Sequence, residues 1–433
     1  MYGTQKVLIK KSKEVIAVLE YICSEAKKLS NCGIYYSRQL YFKTGKFPSI
    51  ARLHKDLGTI QKNSHYHALS SEVAQQTLTT VVESFKSYKG LMKLWRKGEL
   101  KDKPKLPSYL KGRSGLAVAI FPGRAVKLGG KRKNKEHEYG IRLPLGTRVK
   151  AWFCISEIYI PFPSNLDISN IVEVRILPRN GCFYAEFVYK LSPQKVDLDY
   201  QTALGIDPGL NNWLTCVSTV GTSFIIDGLH LKSLNQWYNK SIAKRKENKP
   251  QGFWSKKLAA ITEKRNRQMR DAVNKAARIV VNHCLDRKIG NVVFGWNKSQ
   301  KQESNMGKKN NQKFVQIPTF KLKERIKQLC ELYDISFIET EESYTSKSSF
   351  LDHDFIPKFG EKPEGWKPSG RRVKRGLYRV SCGMLINADA NGAANILAKV
   401  GTILGFELGG VSSGSLSSPS RVTLWTQVKS PVL

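Results

Sequence analysis

Two acidic residues lie in segments whose composition suits metal-dependent chemistry. Asp207 lies in Leu204-Gly-Ile-Asp-Pro-Gly209, where an apolar strand runs into a Pro-Gly turn. Asp389 lies near the start of Asn387-Ala-Asp-Ala-Asn-Gly-Ala-Ala-Asn395, a small-residue run that predicts a helix. Carboxylates contributed by a strand and a helix are the oxygen ligands that Mg²⁺ prefers. Each acid also has a structural explanation, since Asp207 would cap its turn and Asp389 would cap its helix.

The elements that must position these acids follow from the apolar pattern after residue 195. Apolar runs predict strands at 203–207, 213–219, 222–226, 292–294 and 335–340. Helical periodicity predicts helices at about 254–288, 319–333 and 389–399. Three strands followed by alternating helices and strands is the order of a ribonuclease-H-like α/β nuclease domain. The Gly- and Ser-rich residues 401–433 predict a flexible tail.

The first 200 residues show two different periods. Alternation of period two in residues 2–10 and 116–189 predicts a barrel-like sheet, and within it residues 149–160 are expected to form a strand. Helical periodicity in residues 12–95 predicts a helical insertion after the first strand. The fold class expected from the whole chain is therefore α+β and multidomain.

The charge of the chain points to a polyanion partner. Its 433 residues include 72 Lys and Arg against 35 Asp and Glu, a formal charge of +37. Phosphate contacts release condensed counterions, and the interleaved aromatic residues suit stacking on unpaired bases. The alternative is a solvated basic surface of the kind found in ribosome-like assemblies. No segment has the length of a membrane span, and the eight Cys form no Cys-x-x-Cys pair, so we expect a soluble intracellular protein.

Several segments taken together resemble TnpB, the RNA-guided nuclease encoded by insertion sequences and related to type V CRISPR effectors. They are the long basic helix, Gly205-Ile-Asp-Pro-Gly209, Asn311-Gln-Lys-Phe-Val-Gln-Ile-Pro318, Tyr344-Thr-Ser-Lys347 and Asn387-Ala-Asp-Ala-Asn-Gly392. The resemblance covers about residues 1–400. It implies a wedge β-barrel domain at 1–10 and 116–199, a helical recognition domain at 11–115 and a RuvC-like nuclease domain at 200–400. Residues 345–388 would form an insertion in place of a zinc ribbon.

The chain departs from the TnpB pattern at two places. Typical members carry a second catalytic Glu in the strand after the long helix, where this chain has Gly295. They also place a four-Cys zinc ribbon after Thr-Ser-Lys, where this chain has Ser348-Ser-Phe-Leu-Asp-His-Asp354, and no zinc is expected. Some TnpB-like and eukaryotic relatives carry a Glu relocated to a position just before Thr-Ser-Lys. Among the acids of Glu339-Thr-Glu-Glu342, spacing to Thr345 favours Glu342, with Glu341 second; otherwise the site is inactive.

The resemblance therefore implies a catalytic site of Asp207, Glu342 and Asp389, with Glu341 as the substitute for Glu342. These three carboxylates would hold two Mg²⁺ ions, Asp207 bridging them, for hydrolysis of a phosphodiester bond.

The residues expected to bind nucleic acid are mostly basic. Between residues 241 and 270 the chain has ten Lys and Arg against two Glu, which favours a groove for a duplex over a solvated helix face. A second basic loop precedes residue 318, and a basic segment near residue 375 would hold single-stranded target close to the metals. The expected contacts are Lys244, Arg245, Lys246, Lys256, Lys257, Arg265, Arg267, Arg270, Lys308, Lys309, Arg371, Arg372 and Arg375, with Gln75 and Gln76 in the recognition domain.

The function implied is an RNA-guided, Mg²⁺-dependent DNA endonuclease encoded by a transposable element. Its partners would be a guide RNA from the transposon end and double-stranded target DNA, cut beside a short motif, with no membrane. The protein would be cytoplasmic in a prokaryote and nucleoid-associated, and the sequence leaves its oligomeric state open, a monomer being favoured. The alternatives are a nuclease-inactive RNA-guided DNA-binding repressor, a miniature type V CRISPR effector and, more remotely, a DNA-joining transposase.

Overall fold

The computed structural model of the protein describes residues 1–10, 12–111, 115–133, 136–297 and 317–425. The chain divides into two compact units, Met1–Leu191 and Ser192–Leu433. No helix in these described ranges combines the length and the apolar character needed to cross a membrane.

The first unit contains a helical bundle built on two long helices. Ser12 caps the first of these, since its hydroxyl accepts the Val15 N–H, and the helix ends at Gly45, whose φ of +69° is the left-handed conformation that suits glycine. Leu19 and Leu29 pack with Leu78 of the other long helix in one buried core. The helices are α1 (Lys13–Thr44), α2 (Ile50–His54), α3 (Ser64–Ala68), α4 (Ser71–Arg96) and α5 (Thr147–Phe153), with a π-helical turn at Lys55–Ile60.

The same unit contains two antiparallel sheets where the sequence predicted one barrel-like sheet. The four-stranded sheet has the order β1-β7-β6-β2 and the three-stranded sheet the order β3-β4-β5. The strands are β1 (Tyr2–Leu8), β2 (Ala119–Pro122), β3 (Lys127–Lys133), β4 (Glu136–Leu143), β5 (Ile158–Pro161), β6 (Ile171–Arg179) and β7 (Cys182–Lys190).

The prediction of a strand at 149–160 is wrong, because this segment is helical in its first half. Helix α5 buries Val149 and leaves Trp152 73% exposed. One face of the helix is thus buried and another faces solvent, as the helical period allows. Cys154, at φ +51°, ends the helix, and strand β5 begins only at Ile158.

The second unit is built on a six-stranded mixed sheet of order β12-β11-β8-β9-β10-β16. Strands β8, β9 and β10 are antiparallel neighbours, β11 and β12 run parallel to β8, and β16 runs parallel to β10. The sheet strands are β8 (Asp199–Pro208), β9 (Asn212–Ser218), β10 (Ser223–Asp227), β11 (Ile289–Gly295), β12 (Ser336–Thr340) and β16 (Ser420–Val422). A small antiparallel sheet consists of β13 (Arg371–Lys374), β14 (Leu377–Arg379) and β15 (Leu385–Asn387).

Helices of the second unit cover the sheet from two sides. The helices are α6 (Leu229–Lys246), α7 (Lys256–Asp286), α8 (Thr319–Leu332), α9 (Ala388–Leu404) and α10 (Ser413–Ser417). Side chains of α7 and α8 share one core with Leu204 and Ile206 of β8, whereas α9 packs with Ala203 and Val217 in a separate core. Alternating residues of β8 thus point to opposite faces, and the predicted order of strands and helices is confirmed.

The prediction of a flexible tail is wrong for the described part of residues 401–425. After α9, the chain forms α10 and then pairs β16 with β10. The Trp425 indole N–H donates to the Asp271 carboxylate at 3.0 Å. The Gly and Ser content concealed this structure, because only Leu416 and a few other apolar side chains anchor the segment.

Candidate active site

Asp207 stands at the carboxyl end of β8, in the middle of the sheet. Burial, followed by the negative charges of Glu342 and Asp389, raises its pKa well above the ordinary value, while Arg372 acts in the opposite direction. A Cβ on Gly392 of α9 would lie 2.8 Å from Asp207 Oδ2, so glycine at that position leaves room for the carboxylate. The two acidic segments that the sequence singled out therefore meet.

Asp389 lies in the first turn of α9 and is not its cap. Asn387 caps the helix, because its Oδ1 accepts the N–H groups of Asp389 and Ala390, both at 3.0 Å. The Asp389 carboxylate instead accepts hydrogen bonds from the Asn212 amide at 2.7 Å and from Arg372 at 3.3 Å. The capping explanation of Asp389 is thus wrong, and its carboxylate is directed into a cleft with Asp207.

Glu342 follows β12 and occupies the space beside Gly295 at the end of β11. Gly295 pairs with Thr340 across the two parallel strands. A Cβ on Gly295 would lie 2.9 Å from both Cγ and Oε1 of Glu342, and 2.5 Å from Ile396. Asn297 fixes the same residue, since its Oδ1 accepts the Glu342 N–H at 3.0 Å. The missing side chain of β11 is therefore the volume that Glu342 fills.

The Glu342 carboxylate has an unmet need for positive charge. Its Oε1 is buried and has no hydrogen-bond partner among the described residues. Burial raises the pKa of Glu342 to about 7, although the charge of Lys399 acts to lower it. A buried carboxylate oxygen without a donor is costly, and a cation would satisfy it.

The donor chemistry of Asp207, Glu342 and Asp389 fits Mg²⁺, which takes carboxylate oxygens and retains waters. Among the described residues, no three His, Cys, Asp or Glu side chains lie close enough together to hold a metal ion between them. An acid cluster in which one carboxylate oxygen is buried and unsatisfied, and in which Glu342 and Asp389 raise the pKa of Asp207, nevertheless suits ions that keep part of their water shell.

The other two acids of the Glu339–Glu342 segment are committed elsewhere. Glu341 accepts hydrogen bonds from the Lys399 ammonium group and the Ser343 N–H. Burial raises the pKa of Glu341, but these contacts outweigh it and hold the pKa below its ordinary value. Glu339 forms an ion pair with Lys323 at 2.7 Å. The structure therefore favours Glu342 over Glu341, the second choice from the sequence.

Two buried amides of α9 hold the turn that carries Glu342. The Asn395 amide donates to the carbonyl oxygens of Thr345 and Ser348, at 2.8 and 2.7 Å. Asn391 donates to Ser348 at 2.8 Å and accepts the Phe350 N–H at 3.0 Å. The turn is closed by the Thr345 hydroxyl, which donates to the Glu342 carbonyl at 2.9 Å. The Asn-rich and Thr-Ser-Lys motifs are thus one hydrogen-bonded unit that positions Glu342 relative to Asp389.

The cleft beside Asp207 and Asp389 has a volume of about 450 Å³ and a basic rim. Three arginines line it: Arg372, Arg375 and Arg421. Of the predicted nucleic-acid contacts, Arg372 and Arg375 lie here and Arg371 is exposed on β13. Asn212 and Arg421 were not predicted from the sequence. For Asn212 the only signal is its position after the Pro-Gly turn, and for Arg421 there is none.

The basic residues predicted to form a groove lie on α6, α7 and the loop between them. Lys244, Lys246, Lys256, Lys257 and Arg267 are exposed, whereas Arg245 and Arg270 are partly buried. Arg265 does not fit the prediction, because its guanidinium donates twice to the buried Asn235 of α6, at 2.9 and 2.8 Å. Arg265 therefore joins α7 to α6.

Four predicted contacts remain. Gln75 is exposed and Gln76 partly buried on α4 of the first unit. Lys308 and Lys309 lie outside the described residues.

The Asp352-His-Asp354 segment, which the sequence assigned to a turn, is held by hydrogen bonds: Asp352 accepts the Ser381 N–H at 3.0 Å and Asp354 the Ser349 N–H at 2.7 Å.

Comparison with known proteins yields two family matches. Residues 186–301 match the OrfB_IS605 model, described as a probable transposase, and residues 320–396 match the Cas12f1-like TNB domain. The two matches contain Gly205–Gly209, Tyr344–Lys347 and Asn387–Gly392, three of the segments that carried the resemblance to TnpB, and that resemblance is confirmed. No curated protein matches the chain.

Solved structures resemble the chain over most of its length. A cryo-EM structure of a Cas12f1–sgRNA–target DNA complex aligns with a TM-score of 0.59 and 13% identity, covering 89% of this chain and 83% of that chain. The structure of the mini-RNA-guided endonuclease CRISPR-Cas_phi3 aligns with a TM-score of 0.43 and 11% identity over 95% and 93% of the two chains. The first likeness supports the fold class expected from the sequence.

Proposed function

Since residues 186–301 match the OrfB_IS605 model and residues 320–396 the Cas12f1-like TNB domain, we propose that the protein is an RNA-guided DNA endonuclease of the TnpB type. The observation that carries the proposal is the meeting of Asp207, Glu342 and Asp389, three carboxylates distant in sequence, in one cluster that raises the pKa of Asp207. Such a cluster is destabilising unless cations join it, and it is therefore expected at a functional site.

The three carboxylates, Asp207, Glu342 and Asp389, would hold two Mg²⁺ ions. Bound ions of this kind activate a water for attack on phosphorus and stabilise the leaving oxygen. The chain's own residues prepare that site: the Asn212 amide donates to the Asp389 carboxylate at 2.7 Å, and the Asn297 amide donates to the Glu342 carboxylate at 3.4 Å. The arginines of the cleft supply positive charge where a phosphate backbone would lie.

Nucleic-acid partners follow from the charge and from the relatives. The exposed basic residues of α6 and α7 form a surface suited to a phosphate backbone, and a duplex is read there by its shape. The Cas12f1 relative was solved with an sgRNA and target DNA. By analogy, this chain would take a guide RNA from its transposon end, and the RNA would select the double-stranded DNA target by base pairing. A miniature type V effector would use the same chemistry and differ in genomic context.

The test is plasmid cleavage by protein produced with RNA transcribed from the flanking locus. Wild-type protein should cut a plasmid carrying the matching target in Mg²⁺, and should not cut it in EDTA. Asp207→Asn should bind the target and leave it intact. A wild-type protein that binds the target without cutting would refute the endonuclease and indicate an RNA-guided repressor.

A further inference from the structure

The C-terminal strand brings a basic side chain into the cleft of the acid cluster. Arg421 lies on β16, opposite Ile225 of β10. Its guanidinium donates to Asn212 Oδ1 at 3.0 Å and lies 3.6 Å from Asp227 Oδ1. Since β10 and β9 are adjacent strands, the sheet itself fixes the distance from the C-terminal strand to Asn212.

Asn212 connects this arginine to Asp389. Its Nδ2 donates to Asp389 Oδ2 at 2.7 Å while its Oδ1 accepts from Arg421. A guanidinium can only donate and an ionised carboxylate can only accept. Both neighbours therefore require the same orientation of the Asn212 amide, and Arg421 holds the end of the amide that faces away from Asp389.

The contacts of Arg421 favour positioning over a direct grip on a ligand. Its side chain is 47% exposed, yet both ends of the guanidinium are directed at residues of the chain. Asp227 is itself held, because its Oδ1 also accepts the Leu229 N–H at 2.8 Å. A continuous line of polar contacts therefore runs from β10 to the acid cluster, through Asp227, Arg421, Asn212 and Asp389.

We propose that Arg421 is a positioning residue of the active site, acting through Asn212 to fix the Asp389 carboxylate as a cation ligand. The C-terminal strand is then a component of the site. The proposal rests on the proposed function for the role of Asp389. Substitution of a residue that orients a metal ligand typically lowers metal affinity by about 10- to 100-fold.

The experiment is titration of the full-length protein with Mn²⁺ by calorimetry, without RNA or DNA. Arg421→Ala and Asn212→Ala should each weaken Mn²⁺ binding by about tenfold. Because both residues act on Asp389 through the same contacts, the two effects should not add. The double variant should bind Mn²⁺ with the same affinity as the weaker-binding single variant. The matched control is Asn297→Ala, which acts on Glu342, so its effect should multiply with that of Arg421→Ala.

Unchanged Mn²⁺ affinity in Arg421→Ala, or effects of Arg421→Ala and Asn212→Ala that multiply, would overturn the proposal. Should Arg421→Ala fail to fold, Asp227→Asn is the second variant. Asp227→Asn keeps an acceptor for the Leu229 N–H but loses the charge that holds the guanidinium. Introduced into the wild type, Asp227→Asn should weaken Mn²⁺ binding; introduced into Asn212→Ala, it should have no further effect. If the effects of Asp227→Asn and Asn212→Ala on Mn²⁺ affinity multiply, the proposal is overturned.

This measurement is independent of cleavage. A protein that binds Mn²⁺ with this coupling but does not cut its target would refute the proposed nuclease and leave the role of Arg421 supported. A protein that cuts its target but shows no coupling between positions 421 and 212 would do the reverse.

Discussion

The carboxylates on the two sides of the acid cluster differ in the donors that they have. On the Asp389 side, Asn212 and Arg372 already donate to the carboxylate. On the Glu342 side, Oε1 is buried without a partner among the described residues, and Lys399 donates its hydrogen bond to Glu341. The unmet need for a cation is therefore concentrated on the Glu342 side. That is also the side where Gly295 stands in place of the Glu of typical TnpB proteins.

The largest effect should come from filling the space beside Glu342. In Gly295→Ala, the new Cβ would press on the Glu342 carboxylate at 2.9 Å and on Ile396 at 2.5 Å. The Glu342 carboxylate must then move, and a shift of about 1 Å in a catalytic group lowers the rate by about 100-fold. The measurement is the single-turnover rate of plasmid cleavage. Gly409→Ala is the control, because that position has no neighbour within 4 Å. Equal rates for the two variants would mean that Glu342 does not use the space at Gly295.

A smaller effect is expected from the turn that supports Glu342. Asn395→Ala removes both hydrogen bonds to the turn and leaves the buried Thr345 carbonyl without this donor. The free energy of unfolding should fall by about 2 kcal/mol, measured by urea denaturation. Asn165→Ala, at an exposed side chain bonded to Gln5, should change it by less than about 0.5 kcal/mol. If both variants match the wild type, the turn is held by other contacts.

The pH dependence of the metal-free protein separates Glu342 from Glu341. Burial raises the pKa of Glu342 from 4.5 to about 7, so between these values the folded state keeps a proton that the unfolded chain releases. The free energy of unfolding therefore falls as the pH rises through this window. Glu342→Gln should remove that loss and be more stable than the wild type by about 3 kcal/mol at pH 8, with no gain near pH 4.5.

Glu341→Gln should behave in the opposite way. The folded-state pKa of Glu341 is lowered, since the contacts with Lys399 and Ser343 outweigh burial, and its stabilising contribution is present above the unfolded pKa and lost as the pH falls. This variant should therefore be less stable than the wild type at pH 8. Denaturation in EDTA across the pH range measures both variants, and the same sign for the two would contradict the assigned environments.

The smallest effect concerns the basic surface of α6 and α7. Lys257→Ala should reduce the slope of log binding constant against log salt by about 1, because one phosphate contact is lost. Arg265→Ala should leave that slope unchanged, since Arg265 bonds Asn235 inside the unit. Filter binding of guide-loaded protein to target DNA at several salt concentrations gives both slopes. A reduced slope in Arg265→Ala alone would place the groove elsewhere.

The sequence predicted the parts of the site that have a local pattern. Asp207 and Asp389 stand in motifs, and Glu342 was found because Gly295 broke one motif beside another. Contacts between distant residues carry no such pattern: Arg421 lay in a segment predicted to be flexible, and the pairing of Glu341 with Lys399 joins positions 58 residues apart. Arg372 and Arg265 were both chosen for their charge, which does not reveal whether a side chain serves a ligand or the fold.

The most direct measurement compares Glu342→Gln with Glu341→Gln in plasmid cleavage by guide-loaded protein. The two variants remove one charge each from adjacent residues, of which only the first lies against Gly295. We expect Glu342→Gln to bind the target and lose cleavage, and Glu341→Gln to keep cutting. Wild-type cutting by Glu342→Gln, with loss of cutting in Glu341→Gln, would contradict the assignment of Glu342 as the third carboxylate.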